Sequence, residues 1–438
     1  MRYGNIISTA QLRLGTLGAA VWLTMLSTTA FATEGYFQYG YGARQKALAG
    51  AGAADSRDAT AAALNPAGLV HVPVEFTMSG TVFSPSRGFT GSGGPGFTPD
   101  GNRDSHSNYF LVPNMAFTYR DHGLPFVDVI GVTVYGNGGM NTDYPAAGGG
   151  AFCPPSPNSL GTGPFCFGKT GVNLQQAFLS VAFAKTLLPG LSVGVAPILA
   201  RQQIEVEGVQ AFAGGGTIDP ANFSNRGTDV SWGGGVRAGI EWALATNFRV
   251  GVAGNSRIWM HEFERYRGLF AEQGDFDIPA SVQAGLAYDV MRNLTVMADY
   301  KHIWYSTVAS VANPSTSTAL LGSDNGAGFG WEDIDILKIG VEWRQSRDLT
   351  LRAGYAYNTS PIQSRDVMFN IIAPAVVQHH VTGGFAYRWD EDLSLELAAA
   401  YVPEGSLSGT ELGNPGHTIA IDMHQWEATF GIKYRFGE

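Results

Sequence analysis

Residues 424–436 read HQWEATFGIKYRF, and this stretch at the end of the chain decides the fold. From residue 430 onward, large apolar side chains alternate with glycine or basic ones: Phe430, Ile432, Tyr434 and Phe436 against Gly431, Lys433 and Arg435. A period of two is typical of a β-strand whose two faces have different surroundings. One aromatic and aliphatic face opposite a face of glycine and isolated charges indicates a strand between lipid and a polar lumen.

The same alternation recurs from about residue 74 to the end of the chain. It is clear in residues 337–343 (LKIGVEW), 349–357 (LTLRAGYAY) and 393–401 (LSLELAAAY). Fourteen strand cores are predicted in this way, at 74–84, 109–119, 127–136, 173–187, 191–206, 229–243, 247–262, 277–290, 293–306, 334–345, 348–358, 376–389, 392–402 and 424–436. Short turns alternate with longer connections, which are predicted at 85–108, 137–172, 207–228, 263–276, 307–333, 359–375 and 403–423. An even strand number and this alternation are typical of bacterial outer-membrane barrels.

The composition separates a membrane barrel from a soluble β-protein. Charged residues make up only 15% of the chain, whereas glycine accounts for 58 of 438 residues. The polar faces of the predicted strands therefore carry mostly small residues, with one or two charges each. Because a backbone that crosses lipid must satisfy all its hydrogen bonds, the sheet has to close on itself. We predict an all-β fold, a 14-stranded antiparallel transmembrane β-barrel.

The N-terminus has the pattern of an export signal. Arg2 and Arg13 precede the apolar stretch Leu14–Leu26, and the small-residue site Ala30–Ala32 follows it. We predict a signal peptide over 1–32 and a mature chain that begins at Thr33. The alternative is an N-terminal membrane anchor, but the apolar stretch is short for a span. The formal net charge of −10 argues against nucleic acid as a partner.

Two cysteines, Cys153 and Cys166, lie in one segment rich in proline and glycine. Export would place them in an oxidising compartment, so we predict a disulfide that closes this loop. Free thiols and a metal pair are the alternatives. No CxxC motif or Cys/His cluster supports a metal, and we predict neither a metal nor a cofactor.

Residues 33–72 differ from everything after them. They are rich in alanine and glycine and show weak helical character at 43–53 and 58–64. Asp58 is a candidate helix cap, and Asn65 precedes Pro66, which disfavours further helix. We predict a partly helical N-terminal hatch over 33–72, followed by the barrel over 73–438.

The hatch segment contains the motifs GYFQ at 35–38, ALAGAGAA at 47–54, DA at 58–59 and NPAGL at 65–69. In these motifs it resembles the N-terminal region of FadL/TodX-type outer-membrane transporters, which carry long-chain fatty acids or aromatic hydrocarbons. The resemblance implies that the hatch, with Asn65, Pro66 and Ala67, plugs the barrel from the periplasmic side. It also implies a ligand site at the N-terminal stretch 33–37, including Phe37.

The resemblance further implies an inward kink in the third strand that opens a hole in the barrel wall. Residues 134–140 (VYGNGGM) occupy that place, with Gly136, Asn137, Gly138 and Gly139 at its centre. Glycine clusters weaken a strand ladder and permit a bulge. The alternative is that these glycines only begin a long external loop.

These features predict a channel for passive uptake of hydrophobic small molecules. An apolar pocket stabilises a hydrophobic ligand relative to water. The gain is about 25 cal/mol per Å² of apolar surface that the ligand buries. A fatty acid, an alkane and an aromatic hydrocarbon all remain open as ligands. A carboxylate would need a cation, and the candidates on polar strand faces are Arg237, Lys301, Lys338, Arg352 and Arg388. The alternative role of these cations is cross-strand pairing with Glu241, Asp299, Glu342 and Glu396.

Three other functions are alternatives to uptake. A general aqueous porin would need no hatch, and a structural or adhesive barrel would bind no hydrophobic ligand. An enzyme would need a catalytic constellation, for which only His379, His380, Asp422 and His424 are suggestive. Because the side chains of neighbouring strand residues point to opposite faces, we predict no catalytic residues. The expected surroundings are outer-membrane lipid and lipopolysaccharide, and the expected state is a monomer.

Overall fold

A computed structural model describes residues 34–120, 125–154 and 161–437. The predicted signal peptide (1–32) and Thr33 lie outside the described residues. Fourteen long strands form the wall: β1 (Glu75–Gly93), β2 (Phe110–Arg120), β3 (Val129–Tyr144), β4 (Thr170–Leu188), β5 (Leu191–Ile204), β6 (Asp229–Ala245), β7 (Phe248–Asn255), β8 (Ser281–Met291), β9 (Leu294–Ile303), β10 (Ile334–Arg344), β11 (Leu349–Asn358), β12 (His379–Arg388), β13 (Leu393–Glu411) and β14 (Asn414–Arg435).

The sheet closes into a barrel because β14 pairs with β1. Their antiparallel register runs from Glu75 opposite Arg435 to Gly93 opposite His417. Every other wall strand pairs antiparallel with its neighbour in the chain. The predicted fold class is therefore confirmed. Three short strands extend the ladder at Gly101–Asp104, Val206–Glu207 and Trp259–Met260.

Helices are few and short in the part of the chain that the structure describes. The α-helical turns are α1 (Gly42–Ala47), α2 (Ala271–Gly274) and α3 (Ala309–Ala312). Short 3₁₀ helices cover Ala59–Ala63, Pro66–His71, Gln210–Gly215, Glu264–Tyr266, Tyr305–Thr307, Ser364–Asp366 and Phe369–Ile371. None of the helices among these residues is both long and apolar enough to cross a membrane.

The wall has apolar side chains outside and polar side chains inside. In β10, Leu337 and Ile339 are 58% and 52% exposed, whereas Lys338 between them is 1% exposed. This is the orientation that the alternation predicted. Charged groups in the lumen need partners because an unpaired buried charge is costly.

The N-terminal segment supplies many of those partners from inside the barrel. Its helix α1 contacts β1 and β11–β14, and the 3₁₀ helix Pro66–His71 contacts β4, β5 and β6 on another side of the wall. Nearly all of residues 34–72 are buried. The segment thus fills the lumen across its width.

The sequence-based loop boundaries were wrong at one end of the barrel. The predicted loop 403–423 is instead the end of β13 and the beginning of β14, joined by a two-residue turn at 412–413. Likewise β1 continues to Gly93 and β3 to Tyr144. These extensions contain many glycines and polar residues, so they lack the apolar outer face that marks a strand in lipid. Backbone pairing with neighbouring strands holds them.

The disulfide between Cys153 and Cys166 is present, as predicted. It lies in the connection between β3 and β4. Long connections, including this one, gather at one end of the barrel, and short turns join strands at the other. In outer-membrane barrels the long loops face outward and the turns face the periplasm.

Candidate functional site

The barrel wall is interrupted beside the middle of β3. Strands β2 and β3 pair only from Arg120 opposite Val129 to Asn114 opposite Tyr135. On its other edge β3 keeps its pairing with β4, but the register shifts between Gly136 and Gly138, which leaves Asn137 as an extra residue. Such a bulge bends the strand that carries it.

The bent part of β3 turns into the barrel. Every residue from Tyr135 to Thr142 is buried, whereas burial alternates in the part of the strand before it. At the same level, residues 110–113 of β2 pair with β1 but have no partner on β3 among the described residues. The glycine cluster thus lies within a strand, at the place where that strand leaves its neighbour.

Residues 34–41, which we call the strap, lie along the edge of β3 that β2 has left. Phe37 is bridged to Gly138. The amide of Gln38 donates to the Asn137 carbonyl at 2.9 Å, and the amide of Gly139 donates to the Tyr36 carbonyl at 2.9 Å. A Cβ atom on Gly138 would collide with the Tyr36 carbonyl. Close backbone approach is therefore what requires glycine at 138.

Glu34 fixes the beginning of the strap through two lysines of the wall. Its carboxylate pairs with Lys301 at 2.5 Å and with Lys338 at 2.6 Å, and all three side chains are buried. The Tyr305 hydroxyl donates to the Glu34 carbonyl at 2.7 Å and accepts from the Tyr36 amide at 3.1 Å. Two of the candidate ligand cations thus share a single carboxylate of the strap.

The rest of the N-terminal segment, residues 42–72, which we call the anchor, is held by a buried ion-pair cluster. Arg44 contacts Asp55 at 2.7 Å and Glu342 at 2.9 Å. Asp55 also contacts Arg57 at 2.7 Å and Arg249 at 2.8 Å. Further wall pairs join Arg352 to Glu342 and Glu396.

Asn65, Pro66 and Ala67 lie in the anchor and contact a different part of the wall. The Asn65 amide group donates to the carbonyls of Ala53 at 2.7 Å and Ile240 at 3.1 Å, and its oxygen accepts from the Ala67 amide. A Cβ on Gly194 of β5 would collide with Pro66 and Ala67. This motif caps a 3₁₀ helix and seats it on β5 and β6, whereas Phe37 and Gly136–Gly139 are brought together at β3.

Two apolar cavities lie on the way from the loops to the strap. The loop cavity is lined by Phe165, Val206, Val209, Phe212, Leu269, Phe270, Ser310, Leu321, Ala327, Gly328, Phe329, Phe369 and Ile372. An outer groove shares Phe212, Leu321, Ala327 and Phe369 with it. The strap cavity is lined by Gly35, Phe83, Arg87, Gly139, Met140, Asn141, Trp331, Ile372–Ala375 and Met423.

Sequence reasoning missed several residues of this site. Glu34 lies within the predicted stretch 33–37, but its ion pairs with Lys301 and Lys338 were not predicted. Trp331 and Ile372 come from long connections, where no periodicity marks an inward side chain. Arg87 lies beyond the predicted end of the first strand, and extending the period of two past residue 84 would have placed it on the inner face.

The loops also contain a carboxylate with a shifted pKa. Burial, followed by the nearby charge of Asp277, raises the pKa of Asp275 to about 7. Arg257 contacts both carboxylates, at 3.3 Å to Asp275 and 2.5 Å to Asp277. This group lies between β7 and β8, and the Asp275 carbonyl accepts from Ser310, which lines the loop cavity. No cluster of three or more metal-binding side chains occurs among the described residues.

The sequence matches the family model for outer membrane protein transport proteins (OMPP1/FadL/TodX) over residues 23–436. The chain belongs to this family. A FadL/TodX-family protein is an outer-membrane transport protein and not an enzyme, so these two predictions are confirmed. The resemblance inferred from the hatch motifs is likewise confirmed.

Solved structures show the same fold at low sequence identity. The Pseudomonas putida toluene transporter TodX is 19% identical with a TM-score of 0.66, covering 91% of this chain and 99% of TodX. A Pseudomonas aeruginosa FadL homologue is 14% identical with a TM-score of 0.65, covering 92% and 100%. The Ralstonia pickettii toluene transporter TbuX is 19% identical with a TM-score of 0.61, covering 91% and 99%. No curated protein matches the chain.

Proposed function

We propose that this FadL/TodX-family protein takes up hydrophobic small molecules passively and releases them sideways through the wall at β3. A ligand would enter the outer groove, pass the loop cavity and reach the strap cavity. It would leave between β2 and the bulged part of β3. The direction of net movement would follow the concentration gradient of the ligand.

The loop cavity supports the first step because nearly every side chain around it is apolar. Burial of apolar ligand surface contributes about 25 cal/mol per Å², so such a cavity favours hydrophobic molecules over sugars or ions. Phe212 belongs to both the outer groove and the loop cavity, and Ile372 belongs to both the loop cavity and the strap cavity. These shared residues make the three spaces neighbours.

The observation that carries the proposal is the bulge at Asn137. It lies where β2 and β3 separate, and Gly139 next to it lines the strap cavity. At this level the strap lies along the edge of β3 that does not pair with β2. A local movement of the strap would therefore join the cavity to the interruption in the wall, without movement of the anchor.

The ligand class within this function is open to three chemistries: fatty acids, alkanes and aromatic hydrocarbons. Two of the similar structures are described as toluene transporters. This supports monoaromatic compounds as one of the candidate ligand classes. Phe37 and Gly136–Gly139 are the proposed gating residues. Asn65, Pro66 and Ala67 are proposed to hold the anchor in place. A monomer surrounded by outer-membrane lipid and lipopolysaccharide stays a prediction.

Deletion of Asn137 tests the proposed exit. Removing the extra residue lets Gly136 and Gly138 continue one register on β4, which straightens β3 toward β2. Cells that produce the deletion variant should take up labelled dodecane, toluene and dodecanoate no faster than cells without the protein, although the barrel folds. The measurement is initial uptake rate per folded barrel.

Asn137→Ala is the matched control. It keeps the extra residue and removes only the side-chain contacts to Tyr41 and Gln176, so uptake should stay within about two-fold of the wild type. Unimpaired uptake through a folded deletion variant would refute the lateral exit. Rapid swelling of liposomes in small sugars would instead indicate an aqueous porin.

A further inference from the structure

Two neighbouring strands of the wall each carry a pair of adjacent glutamines, at 175–176 in β4 and at 202–203 in β5. The antiparallel register places Gln176 opposite Gln202. It likewise places Gln175 opposite Gln203. Because adjacent strand residues point to opposite faces, one of these facing pairs lies inside the barrel and the other outside. Gln176 and Gln202 are the inner pair, with 1% and 0% of their surface exposed.

The inner pair belongs to a continuous series of buried hydrogen bonds, which we call the amide chain. It begins at the strap, where the Tyr41 hydroxyl donates to Asn137 Oδ1 at 3.0 Å. Asn137 Nδ2 donates to Gln176 Oε1 at 2.9 Å, and Gln176 Nε2 donates to Gln202 Oε1 at 2.7 Å. Gln202 Nε2 donates to the carbonyl of Phe276 at 2.8 Å. The amide chain thus joins the strap and the bulge to the loop between β7 and β8.

Complete pairing distinguishes the amide chain from other buried amides of the lumen. Every side-chain nitrogen and oxygen of its three amides has a hydrogen-bond partner. Asn114 in β2 and Gln425 in β14 are equally buried, but among the described residues neither amide has a partner for its nitrogen or its oxygen. An unpaired buried amide is costly. One break in the amide chain leaves groups on both sides of it unpaired, so its bonds form and break as a set.

Phe276 connects the far end of the amide chain to the loop cavity. Its ring packs edge-on against the ring of Phe270, with centroids 5.0 Å apart, and Phe270 lines that cavity. The ring of Phe276 also lies 6.3 Å from that of Tyr36 in the strap. A ligand in the loop cavity would press on Phe270 and shift Phe276, whose carbonyl is the last acceptor of the chain.

We propose that Gln176 and Gln202 are positioning residues that hold the bulge and the strap together while the loop cavity is empty. Ligand entry moves Phe276, and the amide chain then opens as far as Asn137 and Tyr41. This inference rests on the proposed uptake function and concerns the control of its exit. The amide chain is a latch and not part of the ligand path. Asn137→Ala, which breaks it at the bulge, therefore keeps uptake close to the wild-type rate.

The test is hydrogen exchange of the purified protein in lipid nanodiscs, measured at the amides of Gln38 and Gly139, which join the strap to β3. Dodecanoate, dodecane and toluene are added separately at saturation. At least one of these probes should accelerate exchange in the wild type about ten-fold, the effect of one lost hydrogen bond. In Gln176→Met and in Gln202→Met, exchange should already be this fast without a probe, and the probe should leave it unchanged. Exchange in the anchor should equal that of the wild type in every case.

The double variant Gln176→Met/Gln202→Met separates a connected chain from two independent packing contacts. Because one break already opens the chain, exchange at the strap should be as fast in the double variant as in either single variant. Two independent contributions would instead multiply to about a hundred-fold.

Gln203→Met is the matched control. Gln203 has the same side chain in the same strand and donates to Gln175 at 2.9 Å. It lies on the outer face, which it shares with Leu199, a residue that is 44% exposed. Strap exchange in this variant, and its response to each probe, should equal that of the wild type.

Slow strap exchange without a probe in the folded glutamine variants would overturn the latch. So would unchanged strap exchange in the wild type with a probe that cells take up. If neither glutamine variant folds, Asn137→Ala breaks the same chain and decides by the same measurement. Failure of cells to take up any of the three probes would count against the uptake function itself, whatever the exchange rates of the variants.

Discussion

The strap and the anchor are consecutive parts of one short segment, yet they attach to the wall in different ways. The anchor is held by ion pairs that share partners: Asp55 contacts Arg44, Arg57 and Arg249. The strap is held by Glu34 at its beginning, by two backbone hydrogen bonds to the bulged strand, and by the side chains of Gln38 and Tyr41, which donate to Gly136 and Asn137. Shared ion pairs must break together, whereas the backbone hydrogen bonds of residues 36–38 can be released locally.

This difference indicates where motion is compatible with the fold. Elements that move in binding come from the less stable parts of a structure. Moving the anchor would leave several buried charges unpaired. Moving residues 36–38 alone exposes backbone groups that water can satisfy. We therefore propose the strap as the gate and the anchor as its support.

The largest effect is expected from breaking the anchor. Asp55→Asn removes the charge that three arginines share; Arg44 is buried, and Arg57 and Arg249 are partly exposed. We expect a loss of about 3–5 kcal/mol in the free energy of unfolding, measured by denaturant titration of the purified protein. Glu404→Gln, at an exposed acid, should change it by less than about 0.5 kcal/mol. A loss below 1 kcal/mol in Asp55→Asn would remove the distinction between anchor and strap.

A smaller, local effect is expected from breaking the strap. In Gly138→Ala the new methyl group collides with the Tyr36 carbonyl, so the strap must leave β3. The free energy of unfolding should fall by about 1–3 kcal/mol. Hydrogen exchange at the amides of Gln38 and Gly139 should accelerate at least ten-fold, with unchanged exchange in the anchor.

The matched control for this substitution is Gly80→Ala in β1. There the nearest atom to the new Cβ, a methyl carbon of Leu111, lies 3.7 Å away, which is ordinary contact. Exchange in the strap should then equal that of the wild type. If Gly138→Ala also leaves strap exchange unchanged, the strap is not held by its pairing with β3.

The smallest effect is expected from a substitution in the loops. It should change neither the strap nor the anchor. Because the pKa of Asp275 is raised to about 7, the folded protein favours its protonated form. Its contribution to stability is fully present below the ordinary pKa near 4 and is lost as the pH rises through about 7. Asp275→Asn should therefore gain roughly 1 kcal/mol over the wild type at pH 8 and nothing at pH 4.

Thermal unfolding at both pH values measures this difference, and hydrogen exchange in the strap and the anchor should be the same in both proteins. Asp324→Asn, another loop carboxylate, is the control and should show no gain at pH 8. Equal stability of wild type and Asp275→Asn at pH 8 would contradict the assigned protonation.

The resemblance in the N-terminal segment predicted part of the candidate site before any coordinates. It singled out Phe37 and the cluster Gly136–Gly139 separately, and the structure brings these residues together. Periodicity missed Arg87 because β1 runs past the polar-looking stretch after residue 84. Periodicity also missed residues 403–423, which form the turn end of the hairpin between β13 and β14. Strand segments outside lipid need no apolar outer face.

The sequence by itself determined the barrel, because the faces of each strand follow from a local period of two. It determined the inward orientation of Lys338 and Arg352 for the same reason. Only the tertiary structure decided which lumen cations are neutralised, because partners such as Glu34 and Asp55 come from a distant segment folded inside the wall. Among the residues that the structure describes, this pairing leaves Arg87 and Arg237 without a carboxylate.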